Sequence, residues 1–489
     1  MSQDINPQPV HEGSAEKTAK RGDHALAAEA ERNAAEAGRN TAEAERNAAE
    51  AGRNAAEAGR SAAEAERNAA EAERNAAEAG RIGQSPSPDA NHSGLALAAE
   101  AGRILLQNGA EISRVEETME RIARHYGESG EQFFVLSNGI FTTGRSFAKV
   151  EFIPIKGARL DKVVQINQLS REIAEGKHSL EQAWQRLEFI KSQPEKPVWE
   201  QLLAAFLGCG AFCIIFGGSL FDALASAIAA TLLNLVVLKL LNPWFSKACN
   251  SIVAGFLGSL FCVCLFKLGI GAHLADMIVG TLILLIPGVA FTNGLRDVAG
   301  EDYLAGLTRL ADALMIFLCI ALGSFLAILS VQQFSAQDLF IHGTVTDSLT
   351  ANYAIQLAAA FIGTGAFAVL FGVPRKHYWS CALVGMLGWA IYLLVLRELH
   401  AGAFFAAALG SMVVALCSRF AAVKLRCPST VFLICGIFPL IPGGGVFWSA
   451  YYAAQGDISL ALHIGFDSVK IAFAMVIVLI IVSNIFHRK

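Results

Sequence analysis

Most of the chain after residue 200 consists of apolar stretches without charged residues. About 20 apolar residues of α-helix cross the hydrocarbon core of a bilayer, because each residue advances the helix by about 1.5 Å. The uncharged stretches lie at 202–221, 223–238, 251–266, 277–292, 313–337, 348–374, 378–396, 401–418, 427–456 and 471–486. They predict a polytopic α-helical membrane protein with about ten transmembrane helices. The last but one is interrupted, and it predicts either one broken helix or a re-entrant element.

The basic residues between the stretches predict the orientation. With a cytoplasmic N-terminus, eleven lysines and arginines fall on the inner side, whereas Lys267, Arg397 and Lys470 fall on the outer side. This asymmetry follows the positive-inside rule. Residues 1–92 also lack the apolar region of a secretory signal. We therefore expect both termini to be cytoplasmic. Five spans per half make the halves run in opposite directions, which predicts two five-helix inverted-topology halves.

The polar first 200 residues divide into a tail and a domain. Residues 1–92 carry a low-complexity Ala/Glu/Arg/Asn heptad repeat, with units such as ERNAAEA, and a linker. Alanine alone fills the repeated stripe, so a coiled coil would bury little apolar area. We interpret this tail as a marginal helix or a disordered segment, with an oligomerising coiled coil as the alternative. Residues 93–197 are predicted to form a cytoplasmic α+β domain, followed by transmembrane modules at 198–340 and 348–489.

Within the domain, apolar spacing predicts a helix from about residue 95 and a second helix from Ser113. Ser113 and Glu116 have the spacing of a capping box, as do Ser179 and Gln182 before the last helix. Strands are predicted at 133–136 and 149–154, with turns at 137–139 and 142–144. A third helix is predicted at 161–174.

Two Pro-Gly pairs interrupt the apolar stretches, Pro287-Gly288 and Pro442-Gly443, and each follows an isoleucine. A carboxylate lies 25 positions after each proline, at Asp312 and Asp467. Interrupted helices at matching positions of two halves point to the binding site of a transporter. The Pro-Gly pairs are therefore predicted to line a cavity near the midplane, because free backbone groups are tolerated there only away from lipid.

Charged side chains near these breaks are the candidate binding or coupling groups. Asp312 has Arg309 three positions away and Asp467 has Lys470, so each pair can share one helical face. They are interpreted either as interfacial helix ends or as groups that bind substrate or a proton. Asn293, Asp297 and Asp302 are interpreted either as solvated residues of a cytoplasmic loop or as substrate contacts. Asp222 and Asp276 are expected near solvent at outer helix ends.

Several motifs resemble the threonine/serine exporter family. They are Gly109-Ala110-Glu111, Arg114-Val115-Glu116-Glu117-Thr118, Asn167 with Ser170-Arg171, the block from Pro287-Gly288 through Asn293, Arg296-Asp297 and Arg309-Leu310, and Phe438-Pro439-Leu440-Ile441-Pro442-Gly443. The resemblance covers about residue 93 to the end. It implies export of threonine and serine across a bacterial inner (cytoplasmic) membrane, and two-component relatives are associated with dicarboxylate export. At the domain positions Arg114, Glu116, Asn167, Ser170 and Arg171 we expect a gating or regulatory role.

Other function classes have little support in the sequence. A hydrolase using Ser170 or Thr118 would need a positioned base, and neither GxSxG nor HExxH occurs. No P-loop is found, so transport driven by a proton gradient or by the substrate's own gradient is expected, by alternating access and without a cofactor or metal. The expected partners are a small molecule and the lipid bilayer, not nucleic acid; homo-oligomerisation is left open. Both signs of charge occur among the candidates, so the residues do not separate amino acids from dicarboxylates such as succinate.

Overall fold

The computed structural model describes residues 93–127, 132–143, 148–154, 157–241, 246–332 and 352–487. The heptad repeat of residues 1–92 lies outside the described residues, so the interpretation of the tail stays a prediction.

Residues 94–192 contain four helices and a small sheet. The helices are α1 (Gly94–Gln107), α2 (Ile112–His125), α3 (Leu160–Ala174) and α4 (Leu180–Ser192). The strands β1 (Gln132–Leu136), β2 (Gly139–Thr143) and β3 (Ala148–Phe152) pair antiparallel in the order β1-β2-β3. The predicted turn at 142–144 is wrong in its first two residues, because Thr142 and Thr143 pair with Phe133 and Gln132 across the sheet.

Side-chain caps begin two of the domain helices, α1 at Ser93 and α4 at Ser179. The capping box at Ser179 and Gln182 is confirmed. The capping box predicted at Ser113 is wrong: α2 begins at Ile112 behind Glu111, without a side-chain cap. The Glu116 carboxylate instead accepts a hydrogen bond of 2.9 Å from the amide of Val135. Glu116 therefore connects α2 to β1 rather than closing its own helix.

The remaining helices form the membrane region. They are α5 (Val198–Phe216), α6 (Leu220–Val236), α7 (Lys247–Lys267), α8 (Leu274–Leu282), α9 (Gly288–Ala299), α10 (Tyr303–Gln332), α11 (Tyr353–Leu370), α12 (Tyr378–Arg397), α13 (Gly402–Leu425), α14 (Ser429–Ile437), α15 (Gly443–Gln455) and α16 (Ile458–His487). In the described part of the chain, eight helices are long and apolar enough to cross a bilayer. Two bent pairs raise that number to ten if each pair is one span. The protein is therefore a polytopic helical membrane protein.

The bent pairs coincide with the two Pro-Gly breaks. Short 3-10 turns extend α8 to Leu285 and α14 to Leu440, and the chain then bends by 67° before α9 and by 48° before α15. The prediction of interrupted helices at Pro287-Gly288 and Pro442-Gly443 is thus confirmed. Each bent pair is followed by a helix of 30 residues, α10 and α16.

The polar segment after Pro287 differs from its prediction. Asn293 and Asp297 were expected in a loop or at a substrate, but both belong to α9, and residues 300–302 separate α9 from α10. The span predicted at 313–337 consequently begins ten residues earlier, at Tyr303. The physical reason is that α9 buries its polar side chains against the domain, and a hydropathy pattern does not register that burial.

The surface of the bundle fits a lipid environment. Helix α10 exposes a stripe of leucines at helical spacing, Leu314, Leu318, Leu322, Leu326 and Leu329. Its opposite face packs closely on α7, where a Cβ at Gly255 or Gly323 would overlap the backbone of the other helix. Small residues at a helix contact and apolar residues outside it are typical of membrane helices, because packing there depends on close backbone approach.

Candidate functional site

The two Pro-Gly breaks lie against each other. A Cβ at Gly288 would overlap the ring of Phe438, which lies in the 3-10 turn before the second break. A Cβ at Gly443 would overlap the side chain of Ile286, immediately before the first break. Both glycines are therefore needed for this crossing, and the two bent helix pairs pack through their breaks.

A cavity of about 410 Å³ lies beside the second break. Its wall includes Pro442, Gly444, Gly445 and Trp448 from the start of α15, and the stacked rings of Trp389 and Tyr392 from α12. The first turn of α15 has no side-chain cap. Because the first amides of a helix have no partner within it and carry partial positive charge, this part of the wall favours an anionic group.

Two of the described lining residues are charged, Asp276 from the first turn of α8 and Arg397 from the last turn of α12. Helix α12 begins beside residues 371–373, which contact the domain, and its 20 residues end at Arg397. The cavity therefore extends from the second break toward the end of the bundle away from the domain, which we call the far end.

Asp222 and Asp276 differ sharply, although the sequence suggested solvated helix ends for both. Asp222 is 0% exposed, and its carboxylate lies within hydrogen-bond distance of Ser219, the amides of Ala272 and His273, and the His273 ring. In the described part of the chain, no hydrogen bond joins the carboxylate of Asp276 to another residue. Asp222 thus fixes the chain before α8, whereas Asp276 lines the cavity without such hydrogen bonds to the described residues.

Asp222, His273 and Asp276 bring one ligand atom each within 4.8 Å of one another. A cation there would compete with the donors on Asp222, and five donor groups already surround its two oxygens. The arrangement therefore serves to orient the His273 ring, through a 2.8 Å contact from its Nδ1 to Asp222.

At the opposite end of the bundle, the domain inserts the loop between α1 and α2 together with the first residue of α2, residues 108–112, which we call the latch loop. Asn293 donates a 2.7 Å hydrogen bond to the carbonyl of Gly109, and Arg309 donates one of 3.1 Å to the carbonyl of Ala110. The amide of Ile112 donates to the carboxylate of Asp297 at 3.2 Å. Gly109 has φ +83°, a left-handed conformation that glycine adopts without strain.

An ion pair buried beneath the latch loop holds these groups in place. Arg309 contacts Asp297 at 2.5 Å, and the two residues are 4% and 2% exposed. The pairing of Arg309 with Asp312 that the sequence predicted is wrong, because Asp312 pairs with Lys247 on α7. Arg309 lies on the face of α10 toward α9, whereas Asp312 is partly exposed and faces away from that contact.

A second ion pair joins the latch loop to α9, and its carboxylate also contacts the second module. Glu111, buried in the loop, pairs with Arg296 of α9 and lies 3.4 Å from the hydroxyl of Thr430 in α14. Arg296 also donates to Thr430 at 2.8 Å. The latch loop therefore contacts both bent helix pairs.

The domain is attached at further points. The amides of Leu160 and Asp161 donate to the carbonyls of Phe371 and Gly372, at 3.1 and 2.9 Å. Lys196 donates to the carbonyl of Val373 at 2.7 Å. Burial lowers the pKa of Lys196 to about 8, against the opposing effect of Asp161. These contacts fix the domain where α11 ends.

The remaining predicted site residues are placed apart from the cavity wall. Asp302 is half-buried between α9 and α10, and burial raises its pKa despite the nearby charge of Arg309. Asp467 and Lys470 form the predicted pair at 2.5 Å, but about half of each side chain is exposed. They therefore resemble a surface ion pair more than a cavity group.

In the domain, the motif residues have structural partners. Arg114 contacts Glu111 at 3.3 Å and Glu117 at 3.2 Å. Ser170 is buried, donates to the carbonyl of Asn167 at 3.0 Å and accepts from Arg121 at 3.0 Å. These partners are not general bases. Arg171 is exposed on α3.

Sequence reasoning did not select Glu111, Arg296, Asp276, Arg397 or the glycines of the cavity wall. Glu111 and Arg296 lay within the family motifs, so a search for opposite charges among motif residues would have found them. The sequence indicated Asp276 less strongly, because it is only marked as the single carboxylate at the start of the apolar stretch that ends at Pro287. Nothing in the sequence indicated that Arg397 would lie near this stretch.

Two sequence models of one family match the chain. The model described as "Putative threonine/serine exporter" matches residues 96–331, and "Threonine/Serine exporter, ThrE" matches residues 356–485. A relative described as "Threonine/serine exporter" from Corynebacterium glutamicum is 23% identical over 417 residues, covering 80% of this chain and 82% of the relative. The "Probable succinate transporter subunit YjjP" of Escherichia coli (strain K12) is 24% identical over 242 residues, covering 47% of this chain and 92% of the relative. No solved structure matches the chain.

Proposed function

Because this chain belongs to the threonine/serine exporter family and is a multi-pass membrane protein, we propose that it is a secondary transporter that exports threonine and serine by alternating access. The proposed location is a bacterial inner membrane, with the α+β domain and both termini in the cytoplasm.

The observation that carries this proposal is the asymmetry of the bundle. A cavity of about 410 Å³ reaches the second break from the far end, whereas the latch loop covers the polar groups of α9 at the domain end. That volume lies in the range of small-molecule sites. With the domain in the cytoplasm, this conformation corresponds to an outward-facing state.

The arrangement of helices supports an inverted repeat. Each module contains three helices, a bent pair and a 30-residue helix. The first bent pair runs toward the domain, since α9 contacts the latch loop, and the second runs away from it, since α14 begins beside that loop. Opposite directions of equivalent elements are what an inverted-topology repeat requires.

The extent of the matches to relatives favours amino acids over dicarboxylates as the substrate. The relative described as a threonine/serine exporter spans both modules, whereas the succinate transporter subunit matches only 47% of the chain. Export of a dicarboxylate such as succinate is the second candidate. A hydrolase in the domain is disfavoured, because the hydroxyl of Ser170 is buried and bonded to Asn167 and Arg121.

Transport is proposed to be driven by a proton gradient or by the gradient of the substrate, without a cofactor. The test is export of labelled threonine, serine and succinate from cells expressing the full chain, with and without an uncoupler. Threonine and serine export that exceeds the vector control supports the proposal, and its loss with the uncoupler identifies the proton gradient. Export of succinate alone would instead support a dicarboxylate exporter. Export of none of the three compounds would overturn the proposal.

A further inference from the structure

We infer that Asp276 determines the substrate class of this transporter by binding the ammonium group of an amino acid in the far-end cavity. This inference rests on the proposed function and deepens it, because it names one group that separates amino acids from dicarboxylates.

Among the described residues, the cavity wall has one anionic side chain. Of its lining residues, Asp276 and Arg397 carry charge, and the others are apolar, aromatic, proline or glycine. An ammonium group that enters this cavity therefore has a single carboxylate to meet. A charge-assisted hydrogen bond to that carboxylate is about twice as strong as a neutral one.

The contrast between neighbouring carboxylates indicates which one is available. Asp222 has donors around both oxygens, supplied by the turn before α6 and the chain before α8. The Asp276 carboxylate has no hydrogen bond to the described residues, although it is partly buried. Because a half-buried carboxylate gains from a donor, Asp276 is suited to a ligand that brings its own N–H groups.

The rest of the wall fits the other end of the same ligand. The uncapped first turn of α15, with Gly444 and Gly445, and the guanidinium of Arg397 supply positive potential. A zwitterionic amino acid meets opposite charge at both ends. A dicarboxylate meets Arg397 and α15 favourably, but its second carboxylate meets Asp276. The same wall therefore favours threonine and serine and opposes succinate.

The experiment compares Asp276→Asn, Asp276→Glu and the parental chain for export of labelled threonine and succinate, at matched abundance in the membrane. The control is Asp457→Asn, the same change at an exposed carboxylate that caps α16. We expect Asp276→Asn to lower the ratio of threonine to succinate export by about tenfold or more, as loss of a hydrogen bond to a charged group predicts. Asp276→Glu should recover part of the ratio, and the control should keep it.

A binding measurement distinguishes a lost site from a misfolded protein. Leu396 also lines the cavity, and Leu396→Cys gives a position for an impermeant thiol reagent. Threonine should slow the labelling of the cysteine at position 396 in the otherwise parental chain, but not in the chain that also carries Asp276→Asn. Without threonine, the two chains should be labelled at the same rate. If Asp276→Asn exports threonine with the parental ratio, the inference is overturned while the proposed function stands. If the parental chain exports no amino acid, the proposed function itself fails.

Discussion

The buried pair of Asp297 and Arg309 is expected to hold the latch loop closed. Asp297→Asn keeps the volume of the side chain but leaves the Arg309 charge without its carboxylate, in a position only 4% exposed. Removing one partner of a buried ion pair costs about 3–5 kcal/mol. That cost falls on the closed state, because water reaches Arg309 once the loop has left. At about 1.4 kcal/mol per tenfold, the opening equilibrium should rise by roughly 10² to 4 × 10³.

Hydrogen exchange of the full chain measures this opening directly. The amide of Ile112 donates to Asp297, so a peptide covering residues 108–115 reports on the contact. We expect its exchange to accelerate by about 10²-fold in Asp297→Asn, while peptides of α3 stay protected. The matched control is Glu301→Gln, the same chemical change at an exposed residue between α9 and α10, and it should leave the exchange unchanged.

A double variant tests the stated cause. In Asp297→Asn with Arg309→Met, no unpaired charge is buried, so the latch loop should exchange more slowly than in Asp297→Asn alone. Parental exchange of residues 108–115 in Asp297→Asn, with the protein folded in the membrane, would refute the role of the pair. Faster exchange in the double variant than in the single one would refute the explanation by a buried charge.

Three further predictions concern the breaks, the orientation and the domain. Gly288→Ala should destabilise the protein by about 1–3 kcal/mol, because its Cβ overlaps Phe438. The control is Gly444→Ala, whose Cβ makes an ordinary 3.4 Å contact. In thermal unfolding, purified Gly288→Ala should unfold at a lower temperature than purified Gly444→Ala. A cysteine at Leu399, beyond the end of α12, should react with an impermeant reagent in intact cells, and reaction only after lysis would contradict the orientation. Burial raises the pKa of Glu116, and Asp302 and Glu120 raise it further against the hydrogen bond from Val135. Between the ordinary and the raised pKa the folded domain holds a proton that the unfolded chain has lost, so domain stability should fall as pH rises through that interval. Glu116→Gln should remove this slope in exchange protection of β1, and an unchanged slope would assign it to another group.

Local features of the fold were predictable from the sequence. Hydropathy predicted the spans, and the Pro-Gly pairs predicted both bends. Both predictions succeeded because membrane insertion and helix interruption depend on residues within a single helix. The start of α10 was predicted ten residues late, because Arg309 and Asp312 interrupt the apolar pattern. Both charges have partners in the structure, at Asp297 and on α7, and such pairing removes the reason to end a membrane helix there.

The partners of the charged residues were not predictable, because they lie far apart in the chain. Asp297 was chosen as a candidate, but its partner amide belongs to Ile112, 185 positions earlier. The helical spacing rule relates residues only three or four positions apart. It therefore predicted an ion pair of Arg309 with Asp312 and missed the ion pair of Arg309 with Asp297. The rule succeeded at Asp467 and Lys470, where the pair is exposed and, among the described residues, no distant residue forms an ion pair with either of them.

The first bent pair carries both ends of the proposed mechanism. Asp276 lies in α8 at the cavity, Asp297 lies in α9 under the latch loop, and the 67° bend at Pro287-Gly288 separates them. If the latch loop leaves and α9 moves, the break is the place where the two arms can change their angle. Because Gly288 packs against Phe438, a change of that angle would also displace the second break, next to Gly444. Coupling between sites is reciprocal for binding, so a substrate that binds better when the latch is closed also stabilises the closed latch by the same free energy. Binding from the far end would then keep the domain end shut, which is the condition that alternating access requires.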